Sequence, residues 1–159
     1  MSVGTADLHK AIFAAWAASP LPAAFIALGG EEPTLQEIGA TPGQSCPYCV
    51  VEHRASPIQT RMTVGLHQQH WIRNASTTFR VFAKELPPDD AKTVALGLAA
   101  ELMKVFGGHP SVQATATMTL DEGNCLITRY MDDRGIRTND EEYEWSIDYD
   151  FLLDVPARG

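Results

Sequence analysis

The chain has 159 residues, 45% of them hydrophobic and 20% charged, with 12 Gly and 10 Pro. That length suits one domain spanning 1–159 with a core that needs no metal or disulfide staple, and the composition excludes a disordered tail, a collagen-like chain and a disulfide-rich mini-protein. Lys and Arg total 12 against 20 Asp and Glu, a formal net charge of −8, which argues against a general nucleic-acid binder and against an electrostatic membrane anchor.

Thr5 can cap a first helix. Leu8, Ile12, Ala15 and Trp16 follow at i, i+4, i+7 and i+8, one apolar face at the helical period. Ser19-Pro20 stops it. Pro22 can open a short second helix carrying Phe25 and Leu28, closed by Gly29-Gly30. The apolar run Ala11 to Leu28 loosely resembles a signal peptide. However, Asp7 sits where a basic region belongs, and Pro20 and Pro22 interrupt the run. A membrane span needs ~20 unbroken apolar residues, so two packed helices fit better. Glu31 to Ser45 holds two Pro and two Gly and reads as a long loop.

Pro47 to Arg54 reads as a short strand around Val50 and Val51, broken by Ser56-Pro57. Met62 to Leu66 and His70 to Ala83 look extended, with Thr77, Phe79, Val81 and Ala83 on one face of the pleat. Pro87-Pro88 ends that strand. A helix then opens at Asp89 or Asp90, where a carboxylate suits the positive end of the dipole. Ala91, Val94, Ala95, Leu98, Leu102 and Val105 form its stripe, Gly107-Gly108 its stop, and Pro110 prevents resumption.

The last third alternates at the period of a strand. Val112, Ala114, Ala116, Met118 and Leu120 share one face, Asp121 to Asn124 is turn chemistry, and Cys125 to Met131 returns as a partner strand. Asp132 to Asp140 reads as a polar connection. Tyr143, Trp145, Ile147, Tyr149, Phe151, Leu153 and Val155 then alternate without a break, opposite Glu144, Ser146, Asp148, Asp150, Leu152 and Asp154. One face of the sheet is therefore expected apolar and the other wet. The whole is α+β: a mainly antiparallel sheet with one long helix and the N-terminal helices packed on one face.

Three cysteines, Cys46, Cys49 and Cys125, are an odd number, which suits a reducing compartment better than a disulfide framework. Cys46-Pro47-Tyr48-Cys49 matches the redox tetrapeptide of glutaredoxins. That chemistry places the first thiol at a helix N-terminus to lower its pKa, whereas Val50-Val51-Glu52-His53-Arg54 favours a strand. Cys46 and Cys49 with His67 and His70 offer soft ligands for zinc. The histidine spacing is tighter than the usual ~3–5 intervening residues, and in an extended strand the two would point to opposite faces. Two cysteines near a strand start and two exposed histidines are the plainer reading. Glu144, Asp148, Asp150 and Asp154 share one strand face and could hold a divalent cation or act as acid and base. No His or Lys on that strand supports them, so a solvated face is expected. Asn74-Ala75-Ser76 fits a glycosylation sequon, which means little without a secretory signal. No phosphate-binding glycine loop, nucleophile elbow or His-Glu-x-x-His motif occurs. No catalytic residue, metal ligand or cofactor is assigned.

The order of these pieces resembles the tail terminator or tail completion proteins of long-tailed bacteriophages and related prophage elements. The pieces are the helix beginning Ala6-Asp7-Leu8-His9-Lys10-Ala11-Ile12 and the strand at Pro47-Tyr48-Cys49-Val50-Val51. Phe79-Arg80-Val81-Phe82-Ala83 then runs toward the long helix from Ala91 to Phe106, and Trp145-Ser146-Ile147-Asp148-Tyr149-Asp150-Phe151 comes last. The resemblance implies a non-enzymatic virion protein at the tail–neck junction, assembled in the host cytoplasm. It implies a ring, typically a hexamer, that ends tube growth and joins the tube to the neck. Its partners would be copies of itself, the tail tube protein, and a neck or head-completion protein. DNA would pass through the pore without specific binding, and no membrane is involved. An acidic pore would repel passing phosphates. The alternative is a small cytosolic thiol-redox or zinc-binding protein using Cys46 and Cys49. For ring contacts, the loops Glu31 to Ser45 and Asp132 to Asp140 are the first candidates.

Overall fold

The computed structural model describes residues 3–37, 45–64, 68–107, 120, 124–137 and 142–156. Its elements are α1 (Val3–Ala18), α2 (Leu21–Ala27), β1 (Leu35–Gln36), β2 (Tyr48–Val64), β3 (Gln68–Lys84), α3 (Ala91–Phe106), β4 (Asn124–Arg137) and β5 (Glu142–Pro156). Among the described residues the strands make one sheet in the order β1-β2-β3-β5-β4. Only β1 runs parallel to its neighbour; the other pairs are antiparallel. The fold is α+β, as the alternation and the helical stripe imply.

All three helices bury side chains in one cluster against one face of the sheet. Leu8, Ile12 and Trp16 of α1 and Phe25 of α2 meet Cys49 and Val51 of β2, Phe79 and Val81 of β3, and Ile147, Tyr149, Phe151 and Leu153 of β5. From α3, Val94, Ala95, Leu98, Leu102 and Val105 join them, with Ala99 and Phe106 widening the stripe. Phe79 stacks on Phe106 at 4.9 Å between ring centroids and meets Tyr149 edge-on at 5.8 Å. Such pairs add directional preference to the area they bury.

The termini of the helices follow local chemistry. Ser19 Oγ donates to the Trp16 carbonyl at 2.6 Å and accepts from Leu21 N at 3.2 Å, which closes α1 and starts α2. α2 ends at Gly29, whose φ is +101°, and at Gly30. A Cβ on Gly30 would lie 2.5 Å from the Pro47 carbonyl oxygen, so only glycine lets the turn approach the start of β2. Asp90 Oδ1 accepts from Thr93 N at 2.8 Å, the expected cap of α3. Gly107 stops it with φ +70°.

Four expectations need correction. α1 begins at Val3, so Thr5 lies within its first turn; the alanine-rich run propagates the helix past that capping position. The Glu31–Ser45 stretch contains β1, which pairs Leu35 and Gln36 with Cys49 and Val50. β2 does not end at Arg54 but runs through Ser56-Pro57 to Val64. The register shifts between Ala55 and Ile58 and again before Thr60; Pro57, with no N–H to give the ladder, sits in that irregularity. Finally, Asp132 to Arg137 is strand, not connection, because β5 supplies partners for its polar residues. The Val112–Thr119 alternation, the residues 121–123 and His67 lie outside the described residues.

Among the described residues no single helix is long and apolar enough to cross a membrane; α1 and α2 together are bent by 59°. Their apolar faces are spent on the core.

Candidate interaction surface

The face of the sheet opposite the helices carries a ladder of polar side chains. Glu52 of β2, Ser76, Thr78 and Arg80 of β3, Glu144, Asp148 and Asp150 of β5 and Arg134 of β4 share it, because alternate residues of a strand point the same way. Arg80 donates to Glu52 Oε1 at 3.0 Å and, through Nε, to Glu144 Oε1. The Glu144 hydrogen bond holds the guanidinium pKa above its ordinary value. Thr78 Oγ1 donates to Asp148 Oδ1 at 2.7 Å, while Arg134 Nη1 donates to Asp148 Oδ2 at 2.6 Å. Ser76 Oγ donates to Asp150 Oδ1 at 2.9 Å.

This corrects the solvated acidic face in part. Glu144 is only 7% exposed and Ser146 4%. Burying a carboxylate is costly unless it is paired, and Arg80 pairs Glu144. The ladder is therefore built rather than bare. At one end it joins an apolar cluster of Cys46, Tyr48, Val50 and Phe82. Tyr48 stacks on Phe82 at 4.9 Å, and Arg80 lies 5.3 Å from the Phe82 centroid. Over the ladder, from Glu52 of β2 to Met131 and Arg134 of β4, lies a groove of about 530 Å³, which Asp148 and Asp150 also help to line. Met131 and Ile136 of β4 are 50% and 53% exposed. Ile136 pairs with Glu144 and follows Arg134 by two residues, which places it on this same face.

The thiols sit in the wrong setting for redox chemistry. Cys46 precedes β2 and donates to Glu142 Oε1 at 3.4 Å; burial, and then that carboxylate, push its pKa up to about 12. Cys49 is fully buried within β2, and burial pushes its thiol up as well. Neither lies at a helix N-terminus, and a neutral thiol is a poor nucleophile. The zinc set also comes apart. Cys49 is opposite Val81, whereas His70 is opposite Met62. At ~3.4 Å per residue, eleven residues of β3 separate the two levels by roughly 37 Å. No group of three or more metal-binding side chains occurs among the described residues.

A histidine pair escaped the sequence reading. His9 of α1 and His53 of β2 face each other with Nδ1 and Nε2 2.8 Å apart. His53 Nδ1 is 3.0 Å from Thr77 Oγ1, and His9 Nε2 lies 3.7 Å from Glu37 Oε2. Burial, aided by the charge of His9, lowers the His53 pKa from 6.5 to about 4. The pair joins α1 to the sheet. Forty-four residues separate its members, and no local pattern connects them.

Comparison with known proteins places the fold. No family model and no curated protein matches the chain. Among solved structures, a chain described as the virion of a native gene transfer agent particle superimposes with a TM-score of 0.64. The match covers 97% of this chain and 99% of that one at 10% sequence identity. The two chains share an architecture over nearly their whole compared lengths.

Proposed function

We propose that the chain is a structural protein of a phage-like virion. In this reading it forms a ring at the head-proximal end of the tail, ends growth of the tube and joins it to the neck. The observation that carries the proposal is the end-to-end match in fold to a chain of a gene transfer agent virion, together with the order of elements that resembles tail terminators. The hydrogen-bonded polar face supports it: a charged surface whose side chains are tied to one another suits contact with other proteins better than turnover. The thiol alternative gains no support from two buried, protonated cysteines.

The ring would be six copies of this chain, stacked between the tail tube protein and a neck or head-completion protein, with DNA passing through its pore unread. It uses no catalytic group or cofactor and does not engage a membrane. Deleting the gene in a particle-producing cell tests the reading. Heads and tubes should accumulate unjoined, with tubes of uncontrolled length. Normal particle yield without the protein would refute it.

A further inference from the structure

His9 and His53 meet where α1 crosses β2, with Nδ1 and Nε2 2.8 Å apart. That distance holds one hydrogen: one nitrogen donates it and the other accepts with its lone pair. The chain of contacts continues at both ends. His53 Nδ1 is 3.0 Å from Thr77 Oγ1, a hydroxyl that can give or take a hydrogen bond. His9 Nε2 lies 3.7 Å from Glu37 Oε2, and the His9 side chain keeps 20% of its surface in water, through which a proton can enter. The other flank of the His9 ring packs on Phe13 at 4.6 Å between centroids.

Few charges face the pair among the described residues. Asp7 lies two residues before His9, about 200° around α1, and Lys10 is exposed. On β2, Glu52 belongs to the opposite face of the pleat, where it pairs with Arg80. β3 contributes Thr77 and, beyond it, β5 contributes Tyr149, both neutral. Glu37 is the anion beside the pair. One anion offsets one imidazolium, not two. With one ring charged, the cation donates to its neutral neighbour and the bond survives. With both charged, the facing nitrogens each carry a hydrogen, and no lone pair is left between them. Two like charges at that separation repel, and half-buried rings are poorly screened by water.

We propose that His9 and His53 form an acid-operated clasp, which holds the amino-terminal half of α1 on the sheet while at most one ring is charged and releases that half, with the sheet intact, when both are. The released half carries Leu8 into the core. The rest of α1 is held by other means: Ile12 and Trp16 are buried, and Trp16 Nε1 donates to Thr34 Oγ1 at 2.9 Å. The low His53 pKa, caused by burial and then by the charge of His9, has the sign this requires, because the second proton is refused until the pH approaches about 4. The clasp is independent of the ring reading, and its failure would leave that reading as it stands.

Amide hydrogen exchange of the full-length protein tests it, with each rate corrected for the intrinsic rate at that pH. As the pH falls from 6.5 to 4, protection of the α1 amides from Asp7 to Ala11 should drop by roughly tenfold or more, within a ceiling of roughly 300-fold set by the His53 pKa falling from 6.5 to about 4. The opening should be local. At pH 4 these amides should respond weakly to low urea, while those of Phe79 in β3 and Ile147 in β5 stay better protected and respond steeply, as global unfolding requires. His53→Gln should remove the drop, and His9→Gln, which leaves one ring to charge, should reduce it. If the variants fail to fold, the imidazole nitrogen resonances of the wild type decide, because the clasp requires one ring to stay neutral well below pH 6.5. A drop that persists in His53→Gln overturns the clasp. So does an unchanged wild-type profile, equal protection and urea response of α1 and sheet amides at pH 4, or two rings that both charge near pH 6.5.

Discussion

Tyr149 is fully buried, and its hydroxyl finds no hydrogen-bond partner among the described residues. Burial holds its pKa above the ordinary value, so the group is a neutral, unsatisfied polar atom inside an aromatic cluster. Leaving such a group unpaired costs about 1–3 kcal/mol. Tyr149→Phe keeps the ring against Phe79 and Phe151 and removes the orphan; urea unfolding should show a gain of about 1 kcal/mol. His53 makes the opposite case. Its pKa falls from 6.5 to about 4 on folding, so the unfolded chain binds the proton more tightly. Its contribution is whole above pH 6.5 and is lost as the pH falls from there to 4, by at most about 3 kcal/mol. His53→Gln should flatten the stability profile across that window; an unchanged slope would show that other groups set it. The cysteines are structural fillers on this account. Cys46→Ser with Cys49→Ala should leave particle yield unchanged, and loss of assembly would restore the thiols to consideration.

At the level of elements, legibility followed how local the determining contacts are. β5 was plain because a buried strand in a two-faced sheet writes its own alternation, and α3 was plain because Asp90, its stripe and Gly107 all lie within it. β2 misled because Ser56-Pro57 is ordinarily a break, and only the shifted pairing with β3 accommodates it. The end of β4 misled because Asp132, Arg134 and Gly135 look like a loop until β5 is beside them. Gly135 is explained by that pairing: a Cβ there would lie 2.5 Å from the Trp145 ring, which covers the glycine. Trp145 in turn donates Nε1 to Asp133 Oδ2 at 2.9 Å, and Tyr130 donates to the same carboxylate. Gly135→Ala should therefore displace Trp145 and destabilise by about 1–3 kcal/mol, the usual range for overpacking. Near-ultraviolet circular dichroism would report the shifted indole. The built surface was only half legible. Asp148 and Asp150 announced one acidic face, but their partners Thr78, Arg134 and Ser76 come from two other strands.

The whole molecule combines a sheet backed on one face by three helices with an opposite face that carries a hydrogen-bonded polar ladder. That division of labour suits a subunit whose stability comes from one side and whose contacts come from the other. On the proposed reading the lack of a chemical motif is expected, because an assembly protein is specified by shape and by the pairing of distant patches, and neither leaves a short signature. The end-to-end match at 10% identity is consistent with this, since an architecture can persist where only the core pattern constrains the residues. The central claim is best tested by imaging intact particles that contain this protein. The account predicts rotationally symmetric density for six copies at the junction of tail and neck, each fitted by this fold. Absence of the protein from that junction, or its presence there without rotational symmetry, would contradict it.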